Sequence, residues 1–170
     1  KTRLIRPRCI IDLQAVLELR DIVSDSSGLR LGAMTNYVNI ATNEKLNGPY
    51  QALRDAASRV GDRQVRNRRT IGGSICWNYI AACMPPVALA LDMQLELVSK
   101  DGSRKIPAEK FLGAPLETNR DEFEILVALI APTPTKNTGS AYKKWGLVTD
   151  ALPVIGVCAS LSTDDQGKCV

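Results

Sequence analysis

The sequence predicts an α+β domain, with strand hairpins in one sheet and helices packed on it. Three observations predict this. First, Gln94-Leu-Glu-Leu-Val-Ser alternates polar and apolar residues, then passes through Lys-Asp-Gly into Ser-Arg-Lys-Ile, the pattern of a β-hairpin. Second, Tyr50, Leu53, Ala56, Ala57 and Val60 recur at helical spacing, with Pro49 at the start and Gly61 just past the end. Third, no GxGxxG follows a strand and no GxxxxGK[ST] occurs, so neither a Rossmann site nor a P-loop is expected.

The elements follow in order. Cys9-Ile-Ile-Asp-Leu13 reads as a short buried strand or extended segment, and Leu29–Ala33 as a strand after a Ser-Asp-Ser-Ser-Gly turn cluster. Thr35 stands where a helix cap belongs, ahead of Tyr37, Val38 and Ile40. After the helix ending near Val60, a second is expected within Ala81–Met93, beginning near Pro85-Pro86. Beyond the hairpin, Glu124–Ile130 is a strand, and Thr133–Gly139 is a loop or hinge. Ser140–Trp145 and Val154–Ser162 supply two more strands, the second turning at Asp164-Asp-Gln-Gly167. The chain stops at Lys168-Cys-Val170, where a further strand is expected, so the 170 residues read as one domain plus part of another.

The segment from Val60 to Ser74 is the most informative. With Arg59 it carries five arginines beside Gly72-Gly73-Ser74. Paired glycines permit positive φ and close main-chain approach, and successive N–H groups in such a turn suit an anion such as phosphate. A nucleotide-binding turn is one reading. A Gly-Gly connection flanked by solvated arginines is the other.

Composition narrows the chemistry. Apolar residues are 45% and charged residues 24%, so the chain is neither disordered nor fibrous, and its apolar runs are too short to insert in a membrane. The net charge is +4, with arginines clustered at Arg3–Arg8 and Arg59–Arg69. Aromatic residues are only 5% and are not interleaved with the basic ones, so no stacking platform for nucleic acid is expected. Five cysteines, at 9, 76, 83, 158 and 169, form no CxxC pair. They read as buried structural thiols in a reducing, cytoplasmic compartment, with Cys76 and Cys83 spaced for one helix face. Histidine is absent, which excludes Ser-His and Cys-His nucleophile systems and histidine metal ligation within these residues. Catalysis here requires a cofactor.

Several segments resemble the FAD-binding medium subunit, or domain, of the molybdenum hydroxylases, the family of carbon monoxide and xanthine dehydrogenases. Gly61-Asp-Arg-Gln-Val-Arg-Asn-Arg-Arg-Thr-Ile-Gly-Gly-Ser74 is similar to the family's GDxQVRNxGTIGGN/S. Arg6-Pro-Arg-Cys-Ile-Ile-Asp-Leu13 resembles RPxxLIDL, and Leu31-Gly-Ala-Met-Thr35 resembles IGAMT. The resemblance implies the FAD-binding fold of the vanillyl-alcohol-oxidase-like (PCMH) type, with a mixed or antiparallel sheet and helices over residues 1–135. Residues 136–170 would begin a C-terminal α+β subdomain.

By position, the resemblance implies FAD contacts at Thr70, Ile71, Gly72, Gly73 and Ser74. Val60 would pack on the cofactor, Leu126 would lie beside it, and Lys143 would sit near the flavin end. On residue type alone Lys143 reads as a solvated strand lysine. Cys83 stands where the family often has an acidic residue on the adenosine ribose, and a thiol is a weaker partner. Tyr79 and Ile80 replace the usual Asp-Pro, so a reshaped adenine side is expected. The family's first phosphate loop, of Ala-Gly-Gly-Thr/Gln-Ser-Leu type, is expected upstream of Lys1.

The function so implied is electron transfer. A molybdopterin-binding large subunit oxidises substrate, a small subunit passes electrons through [2Fe–2S] clusters, and FAD on this chain delivers them to an external acceptor. No catalytic or metal-ligating residue is expected in the chain itself. Two rivals remain: an FAD-dependent oxidase or reductase of the same fold without molybdenum partners, and a non-enzymatic arginine-rich module for an anionic polymer.

Overall fold

The computed structural model describes residues 7–148 and 150–170. Five strands form one sheet in the order β1 (Ile22–Asp25), β2 (Gly28–Gly32), β5 (Ile125–Ala131), β3 (Gln94–Ser99), β4 (Gly102–Pro107). Every neighbouring pair is antiparallel, so the mixed alternative falls away. The helices are α1 (Tyr37–Thr42), α2 (Gln51–Ser58), α3 (Arg63–Arg68), α4 (Ile71–Trp77), α5 (Met84–Ala90) and α6 (Ala108–Phe111). A separate two-stranded sheet pairs β6 (Thr138–Trp145) with β7 (Ile155–Ser162).

Alternation decides which sheet face is covered. Leu29 and Leu31 of β2, Leu95 and Leu97 of β3, and Leu126 and Leu129 of β5 are buried in the core. Arg30 points the other way and pairs with Glu96 at 3.2 Å. On the covered side α2 buries Leu53, Ala56 and Ala57 of the stripe its spacing predicted, with Ala52 beside them. Small residues there let the layers approach closely.

The β6–β7 hairpin docks on α2. Ser140 Oγ accepts from the Ala52 amide at 3.0 Å, and the Tyr142 amide donates to Asp55 Oδ2 at 3.2 Å. Tyr142 is buried beneath this contact, and burial raises its hydroxyl pKa. The opposite hairpin face is exposed, with Trp145, Ile155 and Val157 each more than half accessible.

Four expectations are corrected. Cys9–Leu13 is not a strand; no neighbouring strand offers it hydrogen bonds, and Ile10 and Ile11 are exposed. Its Arg6, with the rest of the basic cluster before Pro7, lies outside the described residues. Thr35 does not cap α1: Asn36 holds that position, while the buried Thr35 hydroxyl donates to the Arg20 carbonyl at 3.2 Å. Cys83 alone is fully buried; Cys76 and Cys158 are half-buried, and Cys9 and Cys169 are exposed. Cys76 and Cys83 belong to different elements, because α4 ends at Trp77.

Sequence patterning also missed β1, α3 and α6. Each is short, and α3 has no buried residue, so no apolar period announces it. Its start is signed instead by Asp62, whose carboxylate accepts from the Val65 amide at 2.8 Å.

The loop before β5 is held by an ion pair. Arg104 donates to both Glu124 oxygens, at 2.5 and 2.8 Å, and the Asp121 amide adds a bond of 2.9 Å. These bonds hold the Glu124 carboxyl at about 2, below its ordinary 4.5. A depressed folded-state pKa stabilises above the unfolded value, and that contribution is lost as pH falls through the folded one. Thermal melts of Glu124→Gln should therefore show a weaker fall in Tm between pH 4.5 and pH 2 than the parent chain. Parallel profiles for the two proteins would refute this role.

No helix among the described residues is long and apolar enough to cross a membrane. Among the same residues no group of three or more His, Cys, Asp or Glu side chains is placed to hold a metal ion.

Candidate functional site

The site begins at a bulge. The β3–β5 register shifts between Glu96 and Leu97, leaving Val127 without a partner on β3. On the β2 side its carbonyl accepts from the Ala33 amide at 2.9 Å, and the Ala33 carbonyl accepts from the Gly72 amide at 2.8 Å. The Ile71 amide donates to the Thr35 carbonyl at 3.0 Å. The sheet thus seats the start of α4 directly against the end of β2.

Gly72-Gly73 is consequently not a positive-φ turn. Both residues are helical, in the first turn of α4, and neither has positive φ. Thr70 is the cap, its hydroxyl accepting from the Gly73 amide at 3.2 Å. The two glycines serve different faces. A Cβ on Gly72 would lie 2.6 Å from Ala33 Cβ and 2.7 Å from its carbonyl oxygen. On the exposed Gly73 it would meet only Thr70 Oγ1, at 3.1 Å. Gly72 permits close helix–strand packing, and Gly73 leaves bare main chain toward solvent.

A cleft of about 250 Å³ opens beside this point. Val60 and Gly61 at the end of α2, Tyr37 of α1, and Ser74 and Trp77 of α4 line it. Cys83, Lys144 and the segment Asp150–Pro153 close it. Tyr37 is 1% exposed; burial raises its hydroxyl pKa, against the Ser74 hydrogen bond and the Arg69 charge, which lower it. A second pocket of about 240 Å³ adjoins the first and is lined by Arg68, Arg69, Thr70, Gly73, Ser74 and Trp77.

Of the nine residues singled out in the sequence, Val60, Ser74 and Cys83 line the cleft, while Thr70 and Gly73 line the adjoining pocket. Ile71 and Gly72 are buried beneath them. Leu126 lies in the core at 5% exposure and Lys143 on the exposed hairpin face, so the structure brings neither into the cleft. Strand alternation sends the next residue inward: Lys144 donates to the Arg59 carbonyl at 2.8 Å and to the Ala151 carbonyl at 2.5 Å.

Tyr37, Arg69 and Trp77 were not read as site residues. A signal existed. Once α4 is helical, Thr70, Gly73, Ser74 and Trp77 fall three and four apart on one face.

An antiparallel sheet whose β2 end seats a short Gly-Gly helix beside an apolar, cation-edged cleft defines an α+β domain with a ligand-sized cleft at a helix start. The chain belongs to the family of FAD-binding domains in molybdopterin dehydrogenases, whose model matches residues 1–134. It is 32% identical over 166 residues to the xanthine dehydrogenase FAD-binding subunit of Escherichia coli O157:H7, covering 96% of this chain and 56% of that subunit. To the carbon monoxide dehydrogenase medium chain of Hydrogenophaga pseudoflava it is 32% identical over 144 residues, 85% of this chain and 50% of the relative. Among solved structures, carbon monoxide dehydrogenase from the same organism, lacking the Mo-pyranopterin moiety of its cofactor, superposes with a TM-score of 0.89 at 29% identity. That match covers 95% of this chain and 56% of the solved one. The chain spans about half the length of the curated relatives it matches.

Proposed function

We propose that this chain is the FAD-binding part of the electron-transfer subunit of a molybdenum-dependent dehydrogenase. The observation that carries the reading is the coincidence of the family motif with the cleft, since Thr70, Gly73 and Ser74 stand at its edge. The residues fit a flavin nucleotide. The bare Gly73 main chain faces open space on its outer side, and the neighbouring walls are largely apolar, as a flat ring system requires. A cleft of about 250 Å³ holds one end of such a molecule, and the adjoining pocket gives the remainder a path.

When bound, FAD supplies reversible electron acceptance. The chain's own residues bind and orient it. Val60 supplies an apolar contact, and the Thr70 and Ser74 hydroxyls offer hydrogen bonds. Gly73 permits close approach, and Cys83 offers a weak polar partner. Ile71 and Gly72 act from below by seating α4. Leu126 and Lys143 would contact only a flavin end that extends past the cleft.

On this reading a molybdopterin-binding large subunit and a [2Fe–2S] small subunit deliver electrons, and an external acceptor removes them. Residues 1–135 form the FAD-binding domain, and 136–170 begin the next subdomain. The separate β6–β7 sheet supports that division. The free thiols support a reducing, cytoplasmic setting.

The test is the flavin content of the full-length subunit purified with its partners. One FAD per chain is expected in the parent, and little or none in Gly73→Val, whose side chain fills the approach. Normal flavin content in that variant would overturn the placement.

A further inference from the structure

We propose that the arginine-rich helix α3, with Arg59 ahead of it, is the docking surface for an acidic electron-accepting protein, the external acceptor of the reading above, on which this inference rests. The positive charge is concentrated there. Residues 59–69 hold five arginines and one acid, Asp62, a surplus equal to the net +4 of the whole sequence; elsewhere the two signs balance. Among the described residues none of the five arginines pairs with a carboxylate. Asp62 is occupied as the α3 cap, and Arg66 donates to the Val60 and Gly61 carbonyls at 3.2 and 2.6 Å, which leaves its charge uncancelled. Lys144 brings a further cation to the same point, on the Arg59 carbonyl.

Packing does not account for these residues, since α3 buries no side chain. Arg68 and Arg69 line the pocket beside α4, whereas Arg59 and Arg63 are exposed and line neither that pocket nor the cleft. Val60 and Gly61, which lie between them in the chain, form part of the cleft wall. The patch therefore borders the place proposed for the flavin without belonging to it. An exposed helix does not enclose a small anion, which needs a concave site. It suits a protein face of opposite sign, held weakly and steered by charge, as transient redox encounters are. No aromatic residue lies among the arginines to stack on nucleic-acid bases. Two one-electron carriers, docking in turn, would take the two electrons of one reduced flavin, whose protons pass to water.

The experiment uses the full-length subunit purified with its partners, as parent, as Arg63→Gln and as the double variant Arg59→Glu with Arg63→Glu. The probe is an acidic b-type haem protein, and a basic c-type cytochrome of the same one-electron chemistry is the control. Binding is measured by analytical ultracentrifugation, and haem reduction by the prereduced complex is followed by absorbance, both from low to high salt. The parent should prefer the acidic probe by about tenfold or more at low salt in binding and in rate, and screening should remove the preference at high salt. The double variant should lose the preference and Arg63→Gln should fall between, with flavin content and melting temperature unchanged in both. Equal affinity for the two probes, a preference that salt does not alter, or parent-like binding by the double variant would overturn the proposal. Loss of the [2Fe–2S] subunit from the variants would also overturn it, by assigning the patch to that interface. Complete displacement of the acidic probe by an equal concentration of mixed-sequence duplex DNA would do the same, by assigning the patch to nucleic acid. A parent complex that holds no FAD would instead overturn the underlying functional reading.

Discussion

Gly72→Ala is expected to lower the melting temperature by about 6–12 °C, whereas Gly73→Ala leaves it within about 3 °C. At Gly72 the new methyl meets backbone and Cβ of Ala33 at 2.6–2.9 Å. Ala33 cannot yield, since its amide and carbonyl bond Val127 and Gly72. Overpacking against main chain costs about 3 kcal/mol. At Gly73 the methyl meets only a rotatable hydroxyl, and alanine's better helix propensity offsets the contact. Thermal denaturation of both variants checks this. Equal destabilisation would show that the two glycines do not serve different faces of α4.

Asn78→Ala should be almost as damaging, by about 3 kcal/mol, with Asn78→Gly recovering only part of the loss. Asn78 ends α4 in the left-handed region, at φ 41° and ψ 48°, where alanine is strained and glycine is not. Its buried side-chain amide also donates to the carbonyls of Gly113, Ala114 and Glu117, at 3.3, 3.1 and 2.8 Å. Its own carbonyl accepts from the Leu116 amide at 2.9 Å. One residue thus fastens the 113–117 loop to the end of the helix that carries the site. Amide exchange should show faster opening of that loop in both variants. Full recovery by glycine would mean that backbone strain alone explains the residue.

The regular elements were legible where a repeating pattern carried them. The β3–β4 hairpin and α2 appeared within a residue or two of their expected limits, because alternation and helical spacing are local signals. β2, β5, β6 and β7 were likewise expected as strands between turn residues. Gly72-Gly73 was misread as a turn because glycine's usual role is conformational freedom. Here the pair is helical, and Gly72 is small for a partner 39 residues earlier in the chain, Ala33. No local rule contains that contact.

Composition and periodicity carried the fold class, and the resemblance of one long motif, which lies along the cleft, carried the family. They could not settle which side chains meet there. Trp77 and Arg69 reach the cleft through long-range contacts: Ala33 bonds Val127 on one side and Gly72 on the other, which seats α4 against the sheet. Lys143 faces solvent while Lys144 turns inward, since the docking of Ser140 and Tyr142 on α2 sets which hairpin face is covered. Both outcomes depend on contacts between residues distant in the chain, and the energy of such contacts exists only once the layers have packed.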